Sequence, residues 1–231
     1  YVSANSLGGA TLLDILVNER HKVGKLVVAS SMSIYGEGQY LCNECGVVFP
    51  RLRPESQLAT RDWEMRCPNC SRTVQPMPTN EEKTLFPTSI YAITKRDHEE
   101  MFLTVGRAYK LPTTALRYFN IYGSRQALSN PYTGVTAIFC SRFLNHKPPL
   151  VYEDGGQSRD FTHVSDIVQA NLLALEKDEA NYEMFNVGTG RALTIREVGS
   201  LLRERLAPET ELQIVGQYRA GDIRHCYADI S

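Results

Sequence analysis

The sequence carries no surplus of charge: 25 lysines and arginines stand against 26 aspartates and glutamates. A surface so balanced offers no broad field for nucleic acid or for an anionic membrane. No apolar run approaches the ~20 residues that cross a bilayer, and no secretory leader is visible, so the chain reads as cytoplasmic. Internal repeats and low-complexity stretches are also missing. An initiator methionine is absent: the chain starts at Tyr1, already inside a helical pattern of Val2, Leu7, Leu12, Leu13, Ile15 and Leu16, and so reads as a fragment. What remains, 231 residues, is enough for a sizeable core in one or two domains.

The informative stretch is Ser89-Ile-Tyr-Ala-Ile-Thr-Lys95. It opens a segment to Tyr109 whose apolar residues fall three and four apart, the period of an amphipathic helix. On such a helix Tyr91 and Lys95 are i and i+4 and share a face. A phenol with an ordinary pKa of about 10 is a poor base at neutral pH, and an ammonium held beside it favours the phenolate. Upstream, Lys25-Leu-Val-Val-Ala-Ser-Ser31 is a buried strand that delivers hydroxyls at its carboxyl end, where open α/β sheets place their ligands.

Six markers then follow in order: Ala29-Ser-Ser31 with Tyr35-Gly36, Tyr91 with Lys95, Leu116-Arg-Tyr-Phe-Asn-Ile-Tyr-Gly123, Ser158-Arg-Asp-Phe161, Phe185-Asn-Val-Gly188, and Arg219-Ala-Gly-Asp222. Together they resemble the extended short-chain dehydrogenase/reductase family, in its nucleotide-sugar epimerase and dehydratase branch. The resemblance covers nearly the whole chain apart from one insertion. It implies an α/β, Rossmann-like doubly wound parallel sheet with a small C-terminal substrate domain, and NAD as cofactor. The family's G-x-x-G-x-x-G fingerprint is missing, and Gly155-Gly156 and Gly188-Thr-Gly190 do not replace it, because neither opens a helix in a first βαβ unit. At about 30 residues per such unit, the absent part is on the order of 80 residues.

The resemblance also assigns roles. Tyr91 would take a proton from a sugar hydroxyl, Ser31 would hydrogen-bond the same oxygen, and Lys95 would hold the nicotinamide ribose while tuning Tyr91. Asn5, Ser30 and Tyr118 would lie near the cofactor. Asn120, Arg159, Arg219 and Asp222 would face the nucleotide and its diphosphate, for which the planar fork of arginine is suited. Asn5 reads equally as an exposed or capping residue, a turn residue is the lesser alternative at Asn120, and His163 reads as a structural histidine. A homodimer through the helices carrying Asn5 and Tyr91 is what the family implies.

Between Gly36 and Ser89 the chain leaves that pattern. Cys42-x-x-Cys45 and Cys67-x-x-Cys70, 21 residues apart, are close to the double-knuckle spacing of a tetrathiolate zinc site. Four thiolates close a tetrahedral shell and leave no position for substrate, so the zinc would be structural. Five arginines against four acidic residues over 39–80 are too balanced for a phosphate-binding face. The insertion therefore reads as a zinc-ribbon-like support, lid or subunit contact, with Tyr40, Phe49 and Trp63 on its outer side. The expected domains are 1–38 with 81–125 (nucleotide binding), 39–80 (insertion) and 126–231 (mainly substrate).

Elsewhere the patterning predicts a helix led in by Pro131-Tyr-Thr133 and ending near Leu144, a helix from Ser165 capped by that serine, and a capping box joining Thr194 to Glu197. Cys140 and Cys226 read as ordinary buried cysteines. Dehydratases and decarboxylases of the family place acids just after the strand-end hydroxyl; here Met32 and Ser33 stand there. That favours 4-epimerisation of a nucleotide-diphosphate sugar, and the four-cysteine insertion most resembles sequences grouped as dTDP-L-rhamnose 4-epimerase-like. A 4,6-dehydratase with displaced acids, a UDP-hexose 4-epimerase, and a truncated, non-catalytic, zinc-containing interaction protein are the alternatives.

Overall fold

The structure is a computed structural model that describes residues 1–127 and 134–231, so the Pro131–Thr133 lead-in lies outside the described residues. The chain begins with a π-helical turn, Val2–Leu7, that runs into α1 (Gly8–Asn18), where the pattern predicts one regular helix. β1 (Leu26–Ser31) follows and closes in a 3₁₀ turn, Met32–Tyr35. The insertion supplies β2 (Gln39–Cys42), β3 (Gly46–Val48), α2 (Glu55–Ala59) and β4 (Gln75–Met77). Next come α3 (Ile90–Tyr109) and β5 (Thr113–Tyr118). The remainder is β6 (Asn120–Tyr122), α4 (Val135–Leu144), β7 (Leu150–Val151), β8 (Ser158–Arg159), β9 (Phe161–His163), α5 (Val164–Glu176) and β10 (Met184–Val187). It closes with β11 (Leu193–Thr194), α6 (Ile195–Leu206), β12 (Gln213–Ile214) and β13 (His225–Cys226).

The organising sheet is parallel, in the order β1-β5-β10. Leu13, Phe102 and Leu103 of α1 and α3 pack on Val28 and Ala115 from one face. Ile167 and Ala174 of α5 cover Leu116 and Val187 from the other. Burial on both faces explains why these strands are nearly continuous apolar runs. The register sets Ser31 opposite Tyr118, and Tyr118 opposite Val187, so all three strands end at one level. Gly106 lets α3 lie close on β5: a Cβ there would meet Thr113 Oγ1 at 2.4 Å.

The insertion is a small antiparallel sheet, β3-β2-β4, around Tyr40, Cys42, Val48, Met65, Cys67 and Val74. Tyr40 is thus inside this module rather than on its outer side, because its hydroxyl finds a buried acceptor in Glu37 at 2.7 Å. Trp63 turns toward Tyr218, and Phe49 stays partly exposed. Phe139 and Phe143 of α4, Val151 and Ala207 form the core of the C-terminal part. α6 opens with the Thr194–Glu197 capping box. α5 starts one residue earlier than predicted: His163, not Ser165, is its cap, its Nδ1 accepting the Ser165 amide at 3.2 Å. Among the described residues no helix is long and apolar enough to cross a membrane.

Candidate active site

Ser89 caps α3 by accepting the Ala92 amide at 3.1 Å, which starts the helix beside the carboxyl ends of the strands and sets Tyr91 in its first turn. One turn on, the Lys95 ammonium donates to Ala29 O of β1 at 2.7 Å. Burial alone pushes its pKa down. Ser31 ends β1 and accepts two bonds from Ser33, from its amide at 3.2 Å and its hydroxyl at 2.8 Å. Tyr91 meets the Tyr1 ring edge-on at 5.2 Å. These side chains line one cleft of about 890 Å³ with Ser30, Tyr118, Asn120, Val135 and Phe161.

Two expected cofactor residues are turned to other partners. Adjacent strand residues point to opposite faces, and Ser30 accordingly donates to buried Glu99 at 2.5 Å while Ser31 stays at the cleft. Asn5 does not line the cleft; its amide donates to Thr94 Oγ1 at 3.0 Å, which in turn donates to Tyr91 O at 2.9 Å. Asn5 therefore braces the helix that carries the tyrosine. Tyr118 reaches the cleft wall with its hydroxyl tied to Asn171 at 2.9 Å.

Asn120 and Val135 are shared with a second, narrower space of about 220 Å³. Arg159, Arg219 and Asp222 meet there, with Tyr152 and Gln157. Arg159 is committed to the backbone: it donates to Ser158 O at 2.8 Å, Arg224 O at 2.9 Å and Ile223 O at 2.6 Å. The Arg219 guanidinium stacks on the Tyr152 ring at 4.2 Å, which uses its face and not its N–H edge. Asn120 Oδ1 and Gln157 Oε1 are buried acceptors with no partner among the described residues. Such atoms are costly unless a donor reaches them, and a hydroxyl-rich ligand would supply one.

Sequence reasoning missed the side chains beneath these pockets. Arg117 of β5 pairs with Glu99 at 2.6 Å and donates to Tyr35 Oη at 2.9 Å, and Tyr35 donates to Asn186 at 2.7 Å. Arg53 holds Glu153 through two bonds of 2.8 Å, and Arg224 bridges Glu64, Glu153 and Asp154. No spacing in the chain announces such pairs; only a polar residue inside an apolar strand, as at Arg117, hints at one.

In the insertion the four Sγ atoms of Cys42, Cys45, Cys67 and Cys70 lie within 4.8 Å of one another, with Cys42 and Cys70 at 3.5 Å. A tetrahedral zinc with Zn–S bonds of about 2.3 Å spaces its sulfurs by about 3.8 Å, so this donor set can hold a metal ion. The Glu44 and Cys45 amides facing Cys42 lower its pKa to about 7, while the Cys70 and Cys67 thiols push Cys45 up to about 12. One early thiolate among crowded thiols is what a metal ion would complete.

Residues 70–188 match the NAD dependent epimerase/dehydratase family. Over 98% of its length the chain is 32% identical to dTDP-L-rhamnose 4-epimerase of Burkholderia thailandensis, of which it covers 61%. It is 28% identical, also over 98% of its length, to a putative UDP-glucose 4-epimerase of Methanocaldococcus jannaschii, covering 60% of that protein. Among solved structures it is similar to UDP-N-acetylglucosamine 4-epimerase from Methanobrevibacter ruminantium in complex with UDP-N-acetylmuramic acid. That match has a TM-score of 0.76 and 29% identity, and covers all of this chain and 61% of the other. The chain thus spans about 60% of the length of the curated relatives it matches.

Proposed function

Because the chain belongs to the NAD dependent epimerase/dehydratase family, we propose that the whole protein inverts C4 of a nucleotide-diphosphate sugar. The observation that carries this reading is the continuity of two pockets through Asn120 and Val135: one presents Ser31, Tyr91 and Lys95, the other Arg159, Arg219 and Asp222. NAD, when bound, would supply reversible hydride exchange with the substrate carbon. Lys95 and Tyr91, at the carboxyl ends of the parallel strands, would hold its nicotinamide ribose.

Tyr91 accepts the C4 hydroxyl proton as that carbon is oxidised and returns it afterwards. Ser31 steadies the same oxygen, and the Lys95 charge favours the phenolate. Arg219 offers its N–H edge to the diphosphate, and Asp222 faces the nucleoside. Among the described residues lining the Tyr91 cleft there is no aspartate or glutamate. Elimination of water from the sugar ring needs such an acid or base, which disfavours the dehydratase alternative.

The relative from Burkholderia supports a dTDP-6-deoxyhexose such as dTDP-L-rhamnose as substrate. We also assign a structural zinc to Cys42, Cys45, Cys67 and Cys70, and a homodimer through the first two long helices, where Leu12, Ile15, Ile90 and Ile93 are exposed. Product NMR after incubating the full-length protein with dTDP- and UDP-sugars checks the reaction. C4-inverted sugar with no net change in NAD is expected; a 4-keto-6-deoxy product would mean dehydration. One zinc per chain is expected by elemental analysis, and ordered disulfides without metal would sink that assignment.

A further inference from the structure

The segment 217–226 carries Arg219 and Asp222 into the narrower pocket, and its other side is held by Arg53 and Glu64 of the cysteine module together with Glu37, Glu153 and Asp154. Arg53 donates to both carboxylate oxygens of Glu153 at 2.8 Å and to Asp222 O at 3.3 Å. Glu153 holds the loop from the turn after β7, accepting Arg224 at 2.9 Å while its amide donates to Gln217 O at 2.7 Å. Its backbone sits in the left-handed region, at φ 52°, a conformation that glutamate keeps only when its surroundings fix it. From the module, Glu64 takes Arg224 at 2.6 Å with one oxygen and His225 at 3.1 Å with the other. Arg224 is 1% exposed while the Glu64 carboxylate is 44% exposed, so Glu64 covers the buried guanidinium from the solvent side.

The same two peptide groups look both ways. Ile223 O and Arg224 O accept Arg159 of the pocket wall at 2.6 and 2.9 Å, while the Arg224 side chain reaches back to Glu64. Glu64 lies in the short stretch that leads into the second cysteine pair, and its neighbour Met65 packs with Cys42 and Cys67. The cysteine centre, Glu64, Arg224 and the Arg219–Asp222 turn are therefore one connected body.

We propose that the module is the mounting of the nucleotide-binding loop: Arg53 and Glu64 are positioning residues, and metal occupancy sets the affinity for the nucleoside diphosphate half of the substrate. This rests on the reading of Arg219 and Asp222 given above. Without the metal the cysteine stretch loosens, Glu64 no longer fixes Arg224, and the loop samples positions in which Arg219 leaves the pocket. The chemistry at Tyr91, on another element, is untouched.

The test uses the full-length protein and two probes, dTDP and UDP, with calorimetry, steady-state kinetics and hydrogen exchange. Glu64→Ala is expected to weaken binding of the preferred nucleoside diphosphate about tenfold, as loss of a partly buried charge partner does. KM should rise in step with kcat little changed, amides of 217–226 should exchange faster, and NAD binding should stay as in the parent. Glu64→Gln, which keeps the acceptor, should restore part of the affinity. Chelation should reproduce the Glu64→Ala effect, and zinc should reverse it.

Unchanged nucleotide affinity and unchanged exchange in 217–226 after Glu64→Ala would overturn the proposal while leaving the proposed function standing. A parent protein that binds neither dTDP nor UDP would overturn both. Nucleotide affinity that follows Glu64 and zinc in a protein that inverts no sugar would uphold the mounting and sink the epimerase reading.

Discussion

The cleft at Tyr91 and the clamp at Arg224 sit on neighbouring parts of one molecule and are built in opposite ways. At the cleft, among the described residues, Lys95 donates to one backbone carbonyl, Ser31 accepts from its neighbour Ser33, and Tyr91 rests against another ring. At the clamp Arg224 engages Glu64, Glu153 and Asp154 together, and the Glu37 carboxylate secures the amides of Arg224 and His225. Groups proposed to exchange protons with a substrate keep capacity in hand. Arg224 of the clamp has all three guanidinium nitrogens engaged. Rate should therefore be sensitive at the first place, and stability or affinity at the second.

Tyr91→Phe is the severest test of the difference. It should lower kcat by roughly 10²–10⁴-fold, the usual worth of a positioned proton-transfer group, with little change in substrate affinity or melting temperature. Full activity in this variant would remove the functional assignment altogether. Arg224→Met should do the reverse to stability. It strips three carboxylates of their shared partner, two of them half-exposed, and a loss of about 3 kcal/mol in urea unfolding is expected. Unfolding at the parent's urea midpoint would show that the clamp is decorative.

A finer probe is the buried Lys83. Its ammonium donates to Tyr35 O and Thr84 O at 2.9 Å and sits over the Phe86 ring at 5.3 Å. Burial brings its pKa from 10.5 down to about 8. Between pH 8 and 10.5 the unfolded chain holds the proton that the folded one has released, so stability from this group rises with pH across that window. The parent should gain on Lys83→Met in thermal unfolding as pH goes from 7 to 10; parallel curves would contradict the depressed value. The smallest effect belongs to the cap of α6, where Thr194 pairs with Ser158 of β8. Thr194→Ala removes the α6 cap and should cost about 1 kcal/mol, with kinetics unchanged.

What could be read from the chain followed the range of each interaction. Tyr91 and Lys95 are one helical turn apart, the cysteines form two tight knuckles, and Thr194 with Glu197 is a three-residue motif. Each is local, and the structure brings each together. Ser31, Tyr118 and Asn120 share the cleft because apolar strands fix where they end. Arg53 with Glu153 and Glu64 with Arg224 join residues 100 and 160 positions apart, and no periodicity marks them. Asn5 and Ser30 stand beside the site as the motifs suggest, yet their polar atoms turn to Thr94 and Glu99, a choice made by the packing of α3 on the N-terminal helix and on β1. Tyr40 was misplaced for a similar reason: an aromatic residue in a short exposed-looking strand became the module's centre once Glu37 offered it a buried acceptor.

The register of β2 and β4 has a further consequence, for how the chain tolerates its long excursion. Gln39 pairs with Met77, so the polypeptide leaves the parallel sheet and returns to it across the width of one strand pair. Once that ladder closes, everything between is a side loop, and the stretch from β1 to α3 behaves in folding as a short tether. Loop-closure entropy grows only by about 0.6 kcal/mol per doubling of length even before this shortcut. Chain topology thus isolates the excursion: its interior can be lengthened, trimmed or re-sequenced without shifting the register of β1 on β5, provided the Gln39–Met77 gate still shuts.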